Sequence, residues 1–401
     1  METLRFVFTS SFYPPYHLGG DANHVKYLAE ELAKRGHEVH VLHSLDAYKI
    51  KRGRIQAKPS SSSVITHTIE TTFSTSAYAA YIFGRSRPVA RRFHAIVKEV
   101  RPEVVHHHNV SLLGYDILGK QGNYLNMYTA HDYWLICPHG NLLRDGSRVC
   151  EEASCILCGL NSKRPPQLWR YQVGFERAIK DIDILICPSN YAKERISRRL
   201  GIKAITIPNF VPEPPNSIAF SGHSNFLLFV GLLEGHKGVL QLIDAYTEFG
   251  RELDSKLIIV GTGSLRGKIE DSIRKNHVSD RVIQLGWVDR GFLYQLLHDA
   301  SVLVIPSVWP ENAPLVSMEA LSVGTPVVGT SRGGLPEIVS KVGEQLVFSW
   351  EREADLVRAI SFSIDKNDEL REKAQLAYRE HFSANGYLTS YEEIVRNQSV
   401  S

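Results

Sequence analysis

The chain has 401 residues, of which 43% are hydrophobic and 22% are charged, as in a globular enzyme. A chain of this length is too long for one ordinary hydrophobic core, so two domains are predicted. The formal net charge of +3 gives no general case for a nucleic-acid partner. No apolar run approaches the roughly 18 residues that would cross a bilayer. The N-terminus lacks the layout of a signal peptide, so we expect a cytoplasmic protein.

The N-terminal half alternates between buried strands and amphipathic helices. Asp21 is expected to cap the first helix, which begins after Gly19 and Gly20. Strand–helix–strand segments of this length require right-handed crossovers and a parallel sheet. Residues 1–210 are therefore predicted to form a doubly wound, Rossmann-like domain. Its strands are predicted at 4–9, 38–43, 64–69, 104–107, 125–129 and 184–187.

The strongest turn and linker signal lies at residues 208–216, which are rich in proline and asparagine, with the polar stretch 217–224 after it. We place the domain boundary there, and predict a second doubly wound domain over residues 211–380 because the strand–helix rhythm restarts. Residues 370–395 read as helix. The strands of the second domain are predicted at 226–230, 257–260, 282–285, 302–305, 327–328 and 346–348.

Two glutamates, Glu311 and Glu319, lie eight positions apart after the predicted strand 302–305. Pro314 suits the first turn of a helix, so Glu311 would lie at the carboxyl edge of the sheet and Glu319 one turn inside the helix. A helix start attracts phosphate, and a neighbouring carboxylate can hold sugar hydroxyls. Taken alone, the pair would more simply be one surface glutamate and one helix-facing glutamate.

The surroundings of this pair resemble a known family. Gly324-Thr-Pro-Val-Val-Gly and Gly333-Gly-Leu-Pro-Glu-Ile-Val follow it, and the combination resembles the E-x7-E signature of retaining GT-B glycosyltransferases, specifically glycosyltransferase family 4 (glycosyl transferases group 1). The resemblance runs from the first strand to about residue 380. It implies an α/β protein with two Rossmann-like domains facing across a cleft, and a last helix, 381–401, that packs back on the first domain.

The resemblance also implies an activity: a retaining, hexosyltransferase-like enzyme that moves a sugar from a nucleotide-diphosphate sugar to an acceptor. The acceptor would be a glycan, a lipid-linked molecule or a small molecule, and no catalytic metal is implied. Glu319 would hold the ribose hydroxyls, and Glu311 would bind hydroxyls of the transferred sugar. The helix start would hold the diphosphate; the donor-binding residues implied there are Asn312, Ala313, Pro314, Leu315 and Val316.

Lys237 follows the first strand of the second domain in the segment Gly-Leu-Leu-Glu-Gly-His-Lys-Gly. By resemblance it clamps the leaving diphosphate, although a solvated surface lysine is the alternative. The family usually carries arginine where this chain has Leu232, so one positive charge and a bidentate fork are missing. Gly19 and Gly20 could donate backbone N–H groups to the same diphosphate, or could simply form a turn.

His131 follows the predicted strand 125–129. By resemblance it faces the transferring sugar, where a histidine can donate to a hydroxyl at neutral pH. A histidine hydrogen-bonded at a strand end is the alternative. The run from His106 to His108 alternates between the two faces of a strand, so a three-histidine metal site is not expected.

Four of the five cysteines lie close together in the order C-x12-C-x4-C-x2-C. Such a group can supply four tetrahedral ligands in a reducing compartment, so structural zinc is one expectation. Free thiols are the alternative, and an iron–sulfur cluster is a further option. The cysteines concerned are Cys137, Cys150, Cys155 and Cys158.

Residues 78–93 mix aromatic side chains with four arginines. They predict a solvated basic helix, peripheral contact with an anionic membrane, or binding of an acidic acceptor. Two other functions compete with the transferase. One is a GT-B nucleotide-sugar epimerase or phosphorylase-like enzyme, and the other is a non-catalytic nucleotide-sugar-binding protein, for which Leu232 is the main support.

Overall fold

The computed structural model describes residues 3–17, 19–52, 63–144, 148–151, 154–216, 218, 225–250 and 253–399. The chain divides into two compact units. The first unit comprises Met1–Asp145, Cys150–Pro208 and Tyr387–Ser401. The second unit comprises Gly146–Val149 and Asn209–Gly386.

The first unit is built on a seven-stranded sheet in which every pair of neighbours is parallel. Its strands are β1 (Arg5–Ser10), β2 (Glu38–Ser44), β3 (Ile65–Ile69), β4 (Val104–His107), β5 (Leu125–Thr129), β8 (Ile184–Cys187) and β9 (Ala204–Thr206). The short strands β6 (Leu143–Arg144) and β7 (Arg148–Val149) come between β5 and β8 along the chain and belong to a separate two-stranded sheet. The strand order is β3-β2-β1-β4-β5-β8-β9. The central strands are buried on both faces, as a parallel sheet covered by helices requires.

Helices cover this sheet. They are α1 (Gly20–Lys34), α2 (Leu45–Arg52), α3 (Thr75–Phe83), α4 (Arg87–Val100), α5 (Cys155–Asn161), α6 (Val173–Lys180) and α7 (Asn190–Leu200). Asp21 was predicted to cap α1, but Gly19 occupies the N-cap position and Asp21 lies in the first turn.

The second unit carries a six-stranded parallel sheet in the order β12-β11-β10-β13-β14-β15. Its strands are β10 (Phe226–Val230), β11 (Lys256–Val260), β12 (Val282–Gly286), β13 (Val302–Ile305), β14 (Val327–Thr330) and β15 (Val347–Phe348). Its helices are α8 (Val239–Phe249), α9 (Arg266–Lys275), α10 (Arg290–Asp299), α11 (Leu315–Ser322), α12 (Leu335–Val339), α13 (Glu353–Asp365) and α14 (Asn367–Ala377).

The prediction of two doubly wound parallel sheets is confirmed. The predicted strands agree with the observed bounds to within about two residues, because most of them are rich in apolar and β-branched residues. Strand β9 was missed because its three residues are only partly buried or exposed. The expected linker at 217–224 lies, apart from Ile218, outside the described residues.

The C-terminal segment, predicted as one helix, is broken. A π-helical turn, Tyr378–Phe382, follows α14, and the extended backbone of Ser383 separates it from α15 (Ala384–Ser399). From Tyr387 onward α15 belongs to the first unit, where the hydroxyl of Tyr391 lies 2.9 Å from Nδ1 of His106. Arg35 also pairs with Glu392 at 2.9 Å. Among the described residues no helix combines the length and apolarity needed to span a membrane.

Each sheet has one point at which the strand order reverses. In the first unit it lies between β1 and β4, and in the second between β10 and β13. Ligands of open parallel sheets bind outside the carboxyl ends of the strands at such a point. The segments that follow these four strands carry Gly19, His108, Lys237 and Glu311.

The segment after β13 is held by a glycine with left-handed backbone. Gly333 has a φ of 72°, and a Cβ there would lie 2.1 Å from the carbonyl oxygen of Glu311. Glu311 and Gly333 form a parallel bridge, and the N–H of Gly334 donates to the same carbonyl at 2.6 Å. The close approach fixes the backbone at Glu311 and explains the glycine at position 333.

We expect Gly333→Ala to destabilise the second unit more than Gly286→Ala does. Gly286 has a similar φ of 76°, but a Cβ there would meet nothing within 4 Å. Both substitutions incur the left-handed strain of about 1–2 kcal/mol, and only Gly333→Ala adds a backbone clash of about 1–3 kcal/mol. Urea denaturation of both variants measures the difference in the free energy of unfolding. Equal losses would contradict the close approach between Gly333 and the backbone of Glu311.

Candidate functional site

Lys237 and Glu311 lie together in the second unit. The ammonium nitrogen of Lys237 is 2.7 Å from Oε1 of Glu311, which also accepts from the hydroxyl of Ser307 at 2.6 Å. Glu311 is 3% exposed, and the ammonium lies 5.0 Å from the ring centre of Trp309. The two residues that sequence analysis assigned to the diphosphate and to the sugar therefore form one ion pair, in which Glu311 is buried and Lys237 is partly exposed.

The charge of Glu311 depends on its partners. Burial alone raises the pKa of Glu311, but the charge and hydrogen bond of Lys237, with hydrogen bonds from Ser307 and Trp309, outweigh burial and lower the pKa. Glu311 is thus an ionised carboxylate in an almost dry position.

The loops that carry this pair are bonded to each other and to the sheet. The N–H of Val308 donates to the carbonyl of His236 at 3.0 Å, which ties the Glu311 loop to the Lys237 loop. The hydroxyl of Thr330 donates to the carbonyl of Ser307 at 3.0 Å. The indole N–H of Trp350 donates to the carbonyl of Pro306 at 2.9 Å. The pair therefore sits on a rigid frame.

Helix α11 begins directly after this loop. Pro314 is the N-cap residue, one position earlier than expected, and Leu315 is the first helical residue. The amide of Asn209 donates to the carbonyl of Ala313 at 3.1 Å and fixes the entry to the helix. The first N–H groups of a helix have no intrahelical acceptor, so the helix start offers donors to an anion.

Glu319 lies one turn into α11 and is buried. Its Oε1 is 3.3 Å from the guanidinium of Arg290, which also donates to the hydroxyl of Tyr294 at 3.0 Å. Burial raises the pKa of Glu319, and the charge of Arg290 opposes this only partly. Sequence analysis did not find Arg290, because its contact with Glu319 depends on how α10 packs beside α11.

Leu232 is 36% exposed in the segment after β10. Its side chain therefore needs no core position, and an arginine there would not have to be buried. The departure from the family pattern lies on an accessible part of this segment.

In the first unit, His131 belongs to a cluster of imidazoles. Its Nε2 lies 3.0 Å from Nδ1 of His108, and the two rings stack with centres 5.2 Å apart. The ring centre of His24, from α1, lies 5.0 Å from that of His131. Burial lowers the pKa of His131 to about 3 and the pKa values of His24 and His108 well below their usual range. These rings are neutral at physiological pH. The partner His108 was not predicted because only the sheet register brings β4 and β5 side by side, and the partner His24 was not predicted because its contact depends on how α1 packs.

Gly19 and Gly20 lie at the turn from β1 into α1. Gly19 has a φ of 84°, which favours glycine, and α1 begins at Gly20. The carboxylate of Asp21 accepts from the amide of Asn109 at 2.9 Å, so the segments after β1 and β4 are joined at the switch point. Burial raises the pKa of Asp21.

The expectation of zinc at the four cysteines is not supported. All four lie within the described part of the chain, yet no group of three or more histidine, cysteine, aspartate or glutamate side chains there could hold a metal ion. No disulfide joins the four cysteines, and all of them line a cavity of about 270 Å³.

Two family models match the chain in succession. The model described as Glycosyltransferase Family 4 matches residues 18–213, and the one described as Glycosyl transferases group 1 matches residues 212–381.

Relatives match over shorter stretches. One uncharacterised glycosyltransferase of Methanocaldococcus jannaschii is 40% identical over 123 residues, which are 31% of this chain and 31% of that protein. A second from the same organism is 33% identical over 197 residues, 49% of this chain and 54% of that protein. The matched segments thus span about a third and about half of these two relatives.

Solved structures match over nearly the whole chain. Sucrose-phosphate synthase from Thermosynechococcus elongatus has a TM-score of 0.74 at 17% identity, covering 98% of this chain and 99% of the other. The catalytic domain of starch synthase IV from Arabidopsis thaliana, bound to ADP and acarbose, has a TM-score of 0.72 at 15% identity, covering all of both chains. At these identities the likeness shows the fold, and it confirms the predicted GT-B class. The two family models together extend from residue 18 to residue 381, so the first domain is similar to Glycosyltransferase Family 4 and the second to Glycosyl transferases group 1.

Proposed function

We propose that the protein is a retaining glycosyltransferase that takes its sugar from a nucleotide-diphosphate sugar. The observation that carries the proposal is the buried pair of Lys237 and Glu311 at the switch point of the second sheet. The start of α11 follows this pair directly, and Glu319 lies one turn further on. The lysine and the helix start match the diphosphate of such a donor, and the two buried carboxylates match its ribose and its sugar. ADP in the similar starch synthase structure supports a nucleotide ligand.

Lys237 and Glu311 exchange partners when the donor binds. The ammonium of Lys237, now shared with Glu311, turns to the diphosphate and stabilises the charge that develops as the sugar leaves. Glu311 then accepts hydrogen bonds from hydroxyls of the sugar, and Ser307 keeps it in place. Glu319 accepts the ribose hydroxyls beside Arg290.

His131 acts as a neutral hydrogen-bond donor to the transferring sugar, since its pKa of about 3 keeps it uncharged. The bond between the anomeric carbon and the leaving phosphate oxygen breaks, and the acceptor oxygen forms its bond on the same face. The leaving phosphate takes the proton from the acceptor hydroxyl. This front-face path retains the configuration without a protein nucleophile.

We expect Glu319→Gln to weaken nucleoside diphosphate binding by about tenfold or more, because a charge-assisted hydrogen bond to a hydroxyl is worth about 1.5–3 kcal/mol. A thermal-shift panel of nucleoside diphosphates first identifies the ligand, and calorimetry then compares the variant with Glu344→Gln, an exposed glutamate of the same unit. Unchanged affinity in Glu319→Gln would remove the ribose assignment.

We expect Lys237→Met to abolish donor binding and to lower the free energy of unfolding by about 3–5 kcal/mol, because it leaves Glu311 buried without a cation. The double variant Lys237→Met/Glu311→Gln should recover most of this stability but no binding. Because the folded-state pKa of Glu311 is lowered, the stability from the pair is present above the usual glutamate range and is lost as the pH falls through that lowered pKa. Urea denaturation across this range, with calorimetry of donor binding, checks both parts.

We expect Leu232→Arg to raise nucleoside diphosphate affinity by about tenfold, through a bidentate fork that the family pattern supplies. If the wild-type protein transfers no sugar and Leu232→Arg binds the diphosphate much more tightly, the protein has lost turnover. If the wild-type protein transfers sugar and Leu232→Arg binds no more tightly, other residues compensate for the missing arginine. An isomerised sugar formed without acceptor would favour an epimerase instead, and product analysis of the same reactions detects it.

A further inference from the structure

The cavity lined by the four cysteines has a strongly cationic wall. Described residues of 136–144 and 150–158, which follow β5, form one side, and α7, which follows β8, supplies Arg195, Arg198 and Arg199. Strands β5 and β8 are neighbours in the sheet, so both segments leave it at the same edge. The cavity of about 270 Å³ therefore lies wholly within the first unit.

The arginines of this wall are largely uncompensated. Glu151 is the only carboxylate among the described lining residues, and it is already paired with Arg195 at 2.7 Å. Arg195 is further fixed by donation to the carbonyl of Cys150. In the described parts of the chain, neither Arg198 nor Arg199 lies within ion-pair distance of a carboxylate. Burial raises the pKa of Cys150, so its thiol does not cancel this charge.

A second cavity adjoins the first. It measures about 210 Å³ and shares Pro138 and His139 with the cysteine-lined cavity. Its wall reaches Asn109, at the switch point, and Asp132, the residue after His131. A ligand anchored among the arginines could therefore extend toward the candidate sugar site of the same unit.

Apolar surface adjoins the arginine cavity. Cys155 and Cys158 of helix α5 lie in the wall of the cavity. The same helix leaves Ile156, Leu157 and Leu160 exposed at 41%, 63% and 57%. Tyr171, whose hydroxyl bonds the thiol of Cys155, is also exposed. A charged cavity beside exposed leucines matches a ligand with an anionic head and an apolar tail.

We propose that this cavity binds the phosphate or diphosphate group of an amphiphilic acceptor, whose apolar part rests on α5. The proposal rests on the proposed transferase for the acceptor role. The arginine fork suits phosphate oxygens, and the cavity is smaller than the 300–1,000 Å³ of pockets that enclose a whole small molecule. It therefore takes a head group, and the tail remains outside.

The test compares Arg198→Gln/Arg199→Gln with Arg177→Gln/Lys203→Gln, which removes two exposed cations of the same unit outside the cavity. Wild-type protein should sediment with phosphatidylcholine vesicles that contain phosphatidic acid and not with pure phosphatidylcholine vesicles. The arginine variant should bind about tenfold more weakly or worse, with unchanged melting temperature and nucleoside diphosphate affinity, whereas the control variant should bind as wild type. Glycerol 3-phosphate, assayed by calorimetry, tells whether the head group alone suffices.

Three results would overturn the proposal: no binding to either phosphate probe, full binding by the arginine variant, or an equal loss in the control variant. Stoichiometric zinc or iron that elemental analysis finds in the purified protein, and that is lost from Cys→Ser variants, would also overturn it, because the cavity would then be filled. Glu319→Gln should keep vesicle binding. Arginine-dependent binding in a chain without transfer activity supports the anion site and overturns only the transferase.

Discussion

Glu311 has almost no contact with water and stays ionised chiefly because Lys237 lies 2.7 Å away, with help from the hydrogen bonds of Ser307 and Trp309. This constraint orders the rest of the second unit. The pair needs two loops at a fixed separation, and those loops follow β10 and β13, the adjacent strands at which the sheet order reverses. Gly333 then fixes the backbone of Glu311, and the peptide N–H of Val308 ties one loop to the other. A sheet with another strand order would separate the lysine from the glutamate.

The same topology has a different chemical outcome in the first unit. There the segments after β1 and β4 are joined by Asp21 and Asn109, and neutral imidazoles fill the edge between β4 and β5. The second unit presents compensated charges that a donor can rearrange. The first unit presents hydrogen-bonding rings and, on α7 after β8, Arg198 and Arg199, which form no ion pair with any carboxylate that the structure describes. One unit thus matches a diphosphate and a ribose, and the other a sugar hydroxyl and a second anion.

Sequence was sufficient wherever the signal was local. Most strands of the two sheets are rich in apolar residues, so all except β9 could be predicted to within about two residues, and the loop positions of Lys237 and Glu311 followed from them. Contacts across the sheet could not be predicted in this way. Arg290 meets Glu319 through the packing of α10 on α11, and His108 meets His131 through the register of β4 and β5. The cysteine spacing was compatible with zinc, but spacing along the chain does not decide whether four thiols converge on one point or line a cavity.

The neutral histidines also limit which groups can control a pH profile. His131 has a pKa of about 3, so it does not change charge between pH 5 and 8, although histidine is the usual titrating group there. Its neighbour Asp132 does, because burial raises the pKa of Asp132 to about 7, while the N–H of Trp134 donates to it at 2.8 Å and opposes the shift only in part. Asp132 also lines the smaller cavity of the first unit. A change in acceptor handling near neutral pH would therefore arise from this carboxyl group, and the imidazole beside it would keep the same hydrogen bond throughout.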